Sequence, residues 1–150
     1  MNEQLNDNGR LYLNLLNDTI KRMASNSASC KQWTIAIVTA LLAIKVLSVN
    51  MAYFLWIAFI PILFFYWLDS YYLHLEICFR KLQAKFVKNN SKVFDFNITQ
   101  KDVADGSWKK ALSSPSTWPF YGVLALVVTM IWLLLTWRVF AAFVEFATKQ

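Results

Sequence analysis

Residues 118–137 read WPFYGVLALVVTMIWLLLTW, a continuous apolar run without a charged side chain. A helix needs about 20 mostly apolar residues to cross the hydrocarbon core of a bilayer, and this run meets that requirement. Two shorter apolar runs, 33–49 and 52–68, lie earlier in the chain. Because the short segment 48–50 is almost the whole connection between them, these two runs predict an antiparallel transmembrane hairpin.

The composition also favours a membrane protein. Hydrophobic residues make up 57% of the chain and charged residues only 16%, whereas charged residues make up roughly 25% of typical soluble domains. A soluble domain of this size could not bury so much apolar surface, so the bilayer is the expected solvent. We therefore predict an all-α membrane protein with about three transmembrane helices.

The sequence pattern divides the chain into four segments. The first is expected to be a cytoplasmic amphipathic helix that ends in a linker, because a serine-rich stretch follows the apolar periodicity at 25–29. Alternating apolar and polar residues at 93–98 indicate a short strand. The predicted segments are the amphipathic helix and linker at 1–32, the transmembrane hairpin at 33–71, the cytoplasmic helix extension and loop at 72–117, and the third transmembrane helix with its tail at 118–150.

The distribution of charge predicts the orientation in the membrane. Four Lys and Arg residues lie in 1–32 and eight lie in 80–117. Since cytoplasmic segments carry an excess of Lys and Arg, both regions are expected in the cytoplasm of a bacterial cell, with the hairpin crossing the inner membrane. Three spans would then place the C-terminus on the far side, although Arg138 and Lys149 favour the opposite orientation for the last helix.

Two charged residues are expected to meet at the cytoplasmic boundary. Lys31 and Asp69 are equally distant from the turn at Asn50, and residues equidistant from the turn of an antiparallel hairpin lie at the same depth. We predict that the two side chains lie close together, either as a structural ion pair or as residues that line a pore.

Two further charged positions leave alternatives open. Glu76 is expected to pair with the basic residues near Arg22 on the first helix or with Arg80 one turn further along its own helix. Lys45 lies five residues before the turn at Asn50. Its ammonium group is expected either to reach the far membrane surface or, in an oligomer, to line an aqueous path or contact a neighbouring subunit.

The sequence offers no set of residues for catalysis, metal binding or cofactor binding. His74 is the single histidine, Cys30 and Cys78 lack zinc-type spacing, and the three glycines do not form a phosphate-binding loop. We therefore expect neither an enzyme nor a cofactor. The basic segment 80–117 contains no nucleic-acid-binding motif, so anionic lipid is a more economical partner for its charge.

Residues 66–82, YWLDSYYLHLEICFRKL, resemble the RipA family of octameric bacterial membrane proteins. The similar pattern is Leu-Asp-x-Tyr-Tyr-Leu-x-x-Glu-x-x-Phe-Arg-x-Leu at the cytoplasmic end of the second helix, and weaker similarity extends over about 11–137. The resemblance implies a homo-oligomer of about eight subunits. It also implies a shared structural core formed by Asp69, Tyr72, Glu76, Phe79 and Arg80.

The chain departs from the family pattern at two places. Ile77 and Cys78 follow the glutamate where a basic residue is expected nearby, and Gln83 replaces an expected tyrosine. These departures leave the subunit count and any shared activity open.

Three functions are compatible with these features. The first is a membrane-perturbing or pore-forming effector of bacterial stress response or antiviral defence, in which Lys31, Lys45 and Asp69 would tune the path. The second is a non-catalytic scaffold whose oligomer anchors a cytoplasmic protein partner. The third is an accessory subunit of a larger transport complex.

Overall fold

A computed structural model describes residues 7–47, 56–89 and 107–148, and every regular element in these ranges is helical. Helix α1 spans Asp7–Leu47, α2 spans Phe59–Asn89 after one turn of 3₁₀ helix, α3 spans Ser107–Leu112 and α4 spans Trp118–Thr148. The all-α prediction is confirmed for the described part of the chain. The predicted strand at 93–98 and the hairpin turn at 48–50 lie outside the described residues.

Helix α1 runs without interruption through the serine-rich stretch, so the predicted linker at the end of the first segment is wrong. Serine and threonine disrupt helices when their hydroxyls bond backbone groups in non-helical conformations, but here the Ser29 and Thr34 hydroxyls bond carbonyls one turn back in the helix and the Ser27 hydroxyl bonds across to α2. The Ser29 hydroxyl donates to the Ser25 carbonyl at 3.0 Å, and the Thr34 hydroxyl donates to the Cys30 carbonyl at 2.7 Å. At 41 residues, the helix is about 60 Å long.

Helices α1 and α2 form the predicted antiparallel hairpin. Asn17 and Gln83, which are equidistant from position 50, form a hydrogen bond of 2.8 Å between their side chains. Further from the turn, Tyr12, Leu16 and Phe86 form a buried apolar cluster, in which the Tyr12 and Phe86 ring centroids are 4.7 Å apart. The hairpin therefore continues beyond the apolar segments as a pair of packed helices, residues 7–29 of α1 and 70–89 of α2, which we call the stalk.

A second apolar core joins α4 to the hairpin. It contains Val38 from α1, Ala58 and Ile62 from the start of the second helical segment, and Tyr121 and Val128 from α4. Ring contacts between Trp56 and Trp132 and between Tyr66 and Tyr121 show that α4 runs antiparallel to α2.

Two helical segments, Trp56–Lys88 and Trp118–Arg138, are long and apolar enough to cross a membrane. Only 22% and 11% of the most apolar stretch of each segment is buried inside the protein. Large side chains such as Ile60, Leu63 and Leu134 are more than 60% exposed. Such exposure suits a lipid environment and would be unfavourable in water. The predicted first span, 33–49, is helical as far as Leu47, and its end lies outside the described residues.

The residues at the starts of α4 and α2 have roles that differ in part from those their sequence patterns suggest. Thr117 immediately precedes α4 and Pro119 lies in its first turn, a pattern typical of a helix start, but the Thr117 hydroxyl donates to the Ala111 carbonyl at 2.9 Å rather than capping α4. Pro61, which the apolar pattern places in the middle of a span, lies in the first turn of α2, where its missing N–H removes no helical hydrogen bond.

Candidate functional site: a buried charge cluster

Three side chains from the hairpin form a buried polar cluster. The Asp69 carboxylate is completely buried. The Ser27 hydroxyl donates a hydrogen bond to Asp69 Oδ1, and Lys31 Nζ lies 2.6 Å from Asp69 Oδ2. Lys31 Nζ also donates to Ser27 Oγ at 3.3 Å. The predicted proximity of Lys31 and Asp69 is therefore confirmed, and the structure adds Ser27 as a third member.

The helical repeat explains how this cluster forms. Ser27 and Lys31 are four residues apart, so they project from the same face of α1 toward α2. Asp69 lies opposite Lys31 because both are equally distant from the turn of the hairpin. Two properties of the sequence therefore produce the cluster. The equal distance from the turn places Lys31 and Asp69 at the same height, and the four-residue spacing places Ser27 and Lys31 on the same face of α1.

The cluster makes the hairpin sensitive to the loss of any one partner. Burying a carboxylate without a compensating charge or hydrogen bond is costly, and here Lys31 and Ser27 provide both. The Lys31 side chain remains 20% exposed, so its ammonium group keeps some access to solvent. An intact buried pair contributes little net stability, whereas removing one partner from such a pair costs about 3–5 kcal/mol.

Helix α4 brings a third element to the cluster. The Tyr121 side chain is buried, and its hydroxyl faces both the Asp69 carboxylate and the Thr34 hydroxyl without a well-aligned hydrogen bond among the described residues. Asp69 is therefore the point at which α1, α2 and α4 meet. Tyr121 and Thr34 are not among the predicted site residues, because nothing in the sequence indicates which face of α4 contacts the hairpin.

A buried thiol lies next to the cluster. Cys30 is 4% exposed, and Cys78 is buried further along the stalk. Burial raises the pKa of the Cys30 thiol above its usual range, and the nearby Asp69 carboxylate raises it further. The thiol is therefore expected to react slowly at neutral pH.

The short helix α3 is attached to α2 beside the cluster. The Tyr66 hydroxyl donates to the Leu112 carbonyl at 2.9 Å, and Ala111 is completely buried. The Trp108 ring packs edge-on against the buried His74, with ring centroids 5.3 Å apart. The single histidine thus has a packing role at the junction of α2 and α3.

The other predicted site residues lie along α2 toward the stalk. Glu76 pairs with Arg80 at 2.8 Å, which confirms the alternative of a pair one turn apart. Phe79 packs against the stalk core, and the Tyr72 ring contacts that of Tyr71 at 5.9 Å. Lys45 belongs to α1, but its side chain lies outside the described residues.

The described residues contain no group of three or more His, Cys, Asp or Glu side chains that could hold a metal ion. Ser27 and Lys31 instead direct their polar atoms at one carboxylate. This arrangement is suited to holding α1 and α2 together through a buried ion pair. No protein-family model, curated protein or solved structure matches the chain.

Proposed function

We propose that this chain is a non-catalytic, homo-oligomeric scaffold of the bacterial inner membrane that anchors a cytoplasmic protein partner. The observation that carries the proposal is the continuity of α1 and α2 from the apolar segments into the stalk. The part of α2 beyond Asp69 extends about 30 Å at the usual helical rise. A rigid two-helix projection of this length is suited to holding a partner at a defined distance from the bilayer.

The surface of the stalk offers a place for such a partner. Leu11 and Leu15 are 60% and 47% exposed, although the neighbouring Tyr12 and Leu16 are buried in the stalk core. Val87 is exposed on α2 at a similar distance from the turn. Exposed apolar side chains on a paired helix are common contact points for another protein.

The burial of Asp69 supports the scaffold over the pore-forming effector. A residue that tunes an ion path must face water, but the Asp69 carboxylate is buried between helices and occupied by Lys31 and Ser27. The effector remains the second candidate because the outer faces of α2 and α4 expose extensive apolar surface. That surface could insert into the bilayer and disturb it.

The proposed homo-oligomer is supported by the outer face of α1. Ala36, Ala40 and Ala43 recur along the helix and are all exposed, so another helix could approach the backbone closely there. A count of about eight subunits depends on the family resemblance alone.

The test compares two pairs of substitutions in the full-length chain. Leu11→Glu with Leu15→Glu places two charges on the exposed apolar face of the stalk, whereas Asn8→Glu with Asn14→Glu places two charges on exposed polar positions of the same helix. Crosslinking in intact membranes followed by purification should recover a cytoplasmic partner with the wild type and the asparagine variant but not with the leucine variant.

A parallel measurement separates the scaffold from the effector. The purified protein is inserted into vesicles of phosphatidylglycerol and phosphatidylcholine, and the release of a trapped dye is followed. Tight vesicles are expected for a scaffold. Leakage that increases with the amount of protein, together with no partner recovered by crosslinking, would replace the scaffold with the effector.

A further inference from the structure

A cluster of aromatic rings lies where α2 leaves the apolar segment. Trp67 and Tyr71 are 54% and 41% exposed, and their rings stack at 6.2 Å with an interplanar angle of 14°. The Trp108 ring of α3 meets both rings edge-on, at 6.4 Å and 6.5 Å. Together with Lys109 and Lys110, these three aromatic residues form what we call the boundary patch.

The two lysines of the boundary patch belong to a helix whose backbone is fixed close to the rings. They follow Trp108 directly on α3, which is fixed to α2 by the Tyr66 hydrogen bond and by the burial of Ala111. Both lysine side chains are exposed. Neither lysine forms an ion pair within the described ranges. The patch therefore presents two positive charges that the described protein does not neutralise.

The depth of the boundary patch matches the headgroup region of a bilayer. Trp118–Arg138, the apolar segment of α4, contains 21 residues and rises about 30 Å, which is the thickness of the hydrocarbon core. Its first residue lies only a few positions after Leu112, whose carbonyl is bonded to α2. The patch thus lies at the end of the apolar segments, where tryptophan and tyrosine are enriched in membrane proteins.

We propose that the boundary patch binds an anionic phospholipid, with Lys109 and Lys110 contacting the phosphate and the Trp67 and Tyr71 rings contacting the glycerol and upper acyl chain. This inference depends on the proposed membrane orientation. Charge complementarity supports a lipid, because the cytoplasmic leaflet carries the negative lipids that attract basic residues close to the membrane. The half-exposed rings beside the lysines provide an apolar surface that a soluble anion would not need.

The experiment uses the full-length protein in nanodiscs of equal amounts of phosphatidylglycerol and phosphatidylcholine. Resistance to alkaline carbonate extraction first establishes that the chain is membrane-embedded. Native mass spectrometry then counts the lipids of each type that the released protein retains. The test variant is Lys109→Gln with Lys110→Gln, and the matched control is Lys21→Gln with Arg22→Gln, which removes the same charge from the exposed surface of the stalk.

The wild type and the control variant are expected to retain phosphatidylglycerol in preference to phosphatidylcholine. The test variant should lose that preference by at least about fivefold, the factor expected for one lysine at a membrane surface. Equal retention by the test and control variants would overturn the lipid site while leaving the membrane anchor intact. Displacement of the lipid by inorganic phosphate would also overturn it, and extraction of the chain by carbonate would overturn both proposals.

Discussion

Replacing Asp69 by alanine removes the only carboxylate of the buried cluster and leaves the Lys31 ammonium group without its partner. Breaking a buried ion pair in this way costs about 3–5 kcal/mol. Lys31 is 20% exposed and can turn toward solvent, and the Ser27 hydroxyl can donate instead to a carbonyl one turn back in α1. Both adjustments place the expected loss at the lower end of the range, about 3 kcal/mol.

The free energy of unfolding can be measured by titrating the protein in mild-detergent micelles with sodium dodecyl sulfate and following its helicity by circular dichroism. Glu76→Gln provides a matched control, because it also removes one carboxylate of α2 that is paired with a basic residue. The Arg80 side chain of that pair is 62% exposed, so the control should cost less than about 1 kcal/mol.

A double variant tests whether the loss arises from the unpaired charge. Replacing Asp69 by leucine and Lys31 by methionine together removes both charges, and buried ion pairs exchanged for apolar side chains often keep or gain stability. We expect this double variant to be more stable than Asp69→Ala. The reasoning is refuted if Asp69→Ala costs no more than Glu76→Gln, or if the double variant is as unstable as the single one.

Three further predictions concern the stalk, the buried thiol and α3. Leu16→Ala should destabilise the stalk by about 3 kcal/mol, because it leaves a cavity in the stalk core. The loss should appear as faster proteolysis within residues 7–29, and an unchanged rate would contradict the packing. Cys30 should react slowly with maleimide at neutral pH and faster in the Asp69→Ala variant, because that change removes a carboxylate that raises the thiol pKa. Equal rates in the two proteins would count against the placement of Cys30 beside Asp69. Tyr66→Phe should cost about 1 kcal/mol by removing the bond to α3 and should speed tryptic cleavage after Lys110, whereas an unaltered cleavage rate would show that this bond does not hold α3.

The position of the cluster along the hairpin could be predicted because depth depends on chain length alone. A short connection makes two helices antiparallel, and helical rise then converts distance from the turn into height. Lys31 and Asp69 meet for this reason, and so do Asn17 and Gln83 further out. Two of the three apolar runs also contribute to segments that could cross a membrane, as their length and composition predict.

Other features depended on contacts between distant parts of the chain. The serine-rich stretch at 25–29 is helical, and the Ser27 hydroxyl in it bonds Asp69 on α2, a partner about which a local pattern contains no information. The contact of Tyr121 with Asp69 depends on the rotation of α4 about its axis. The apolar segment of α4 has no strong amphipathic face that would determine this rotation, because apolar residues such as Leu126 and Leu134 also lie on its exposed side. The sequence alone therefore determined the apolar helices and the register of the hairpin, whereas tertiary packing decided which faces meet, because periodicity and composition do not specify the partner of a nearly uniform apolar helix.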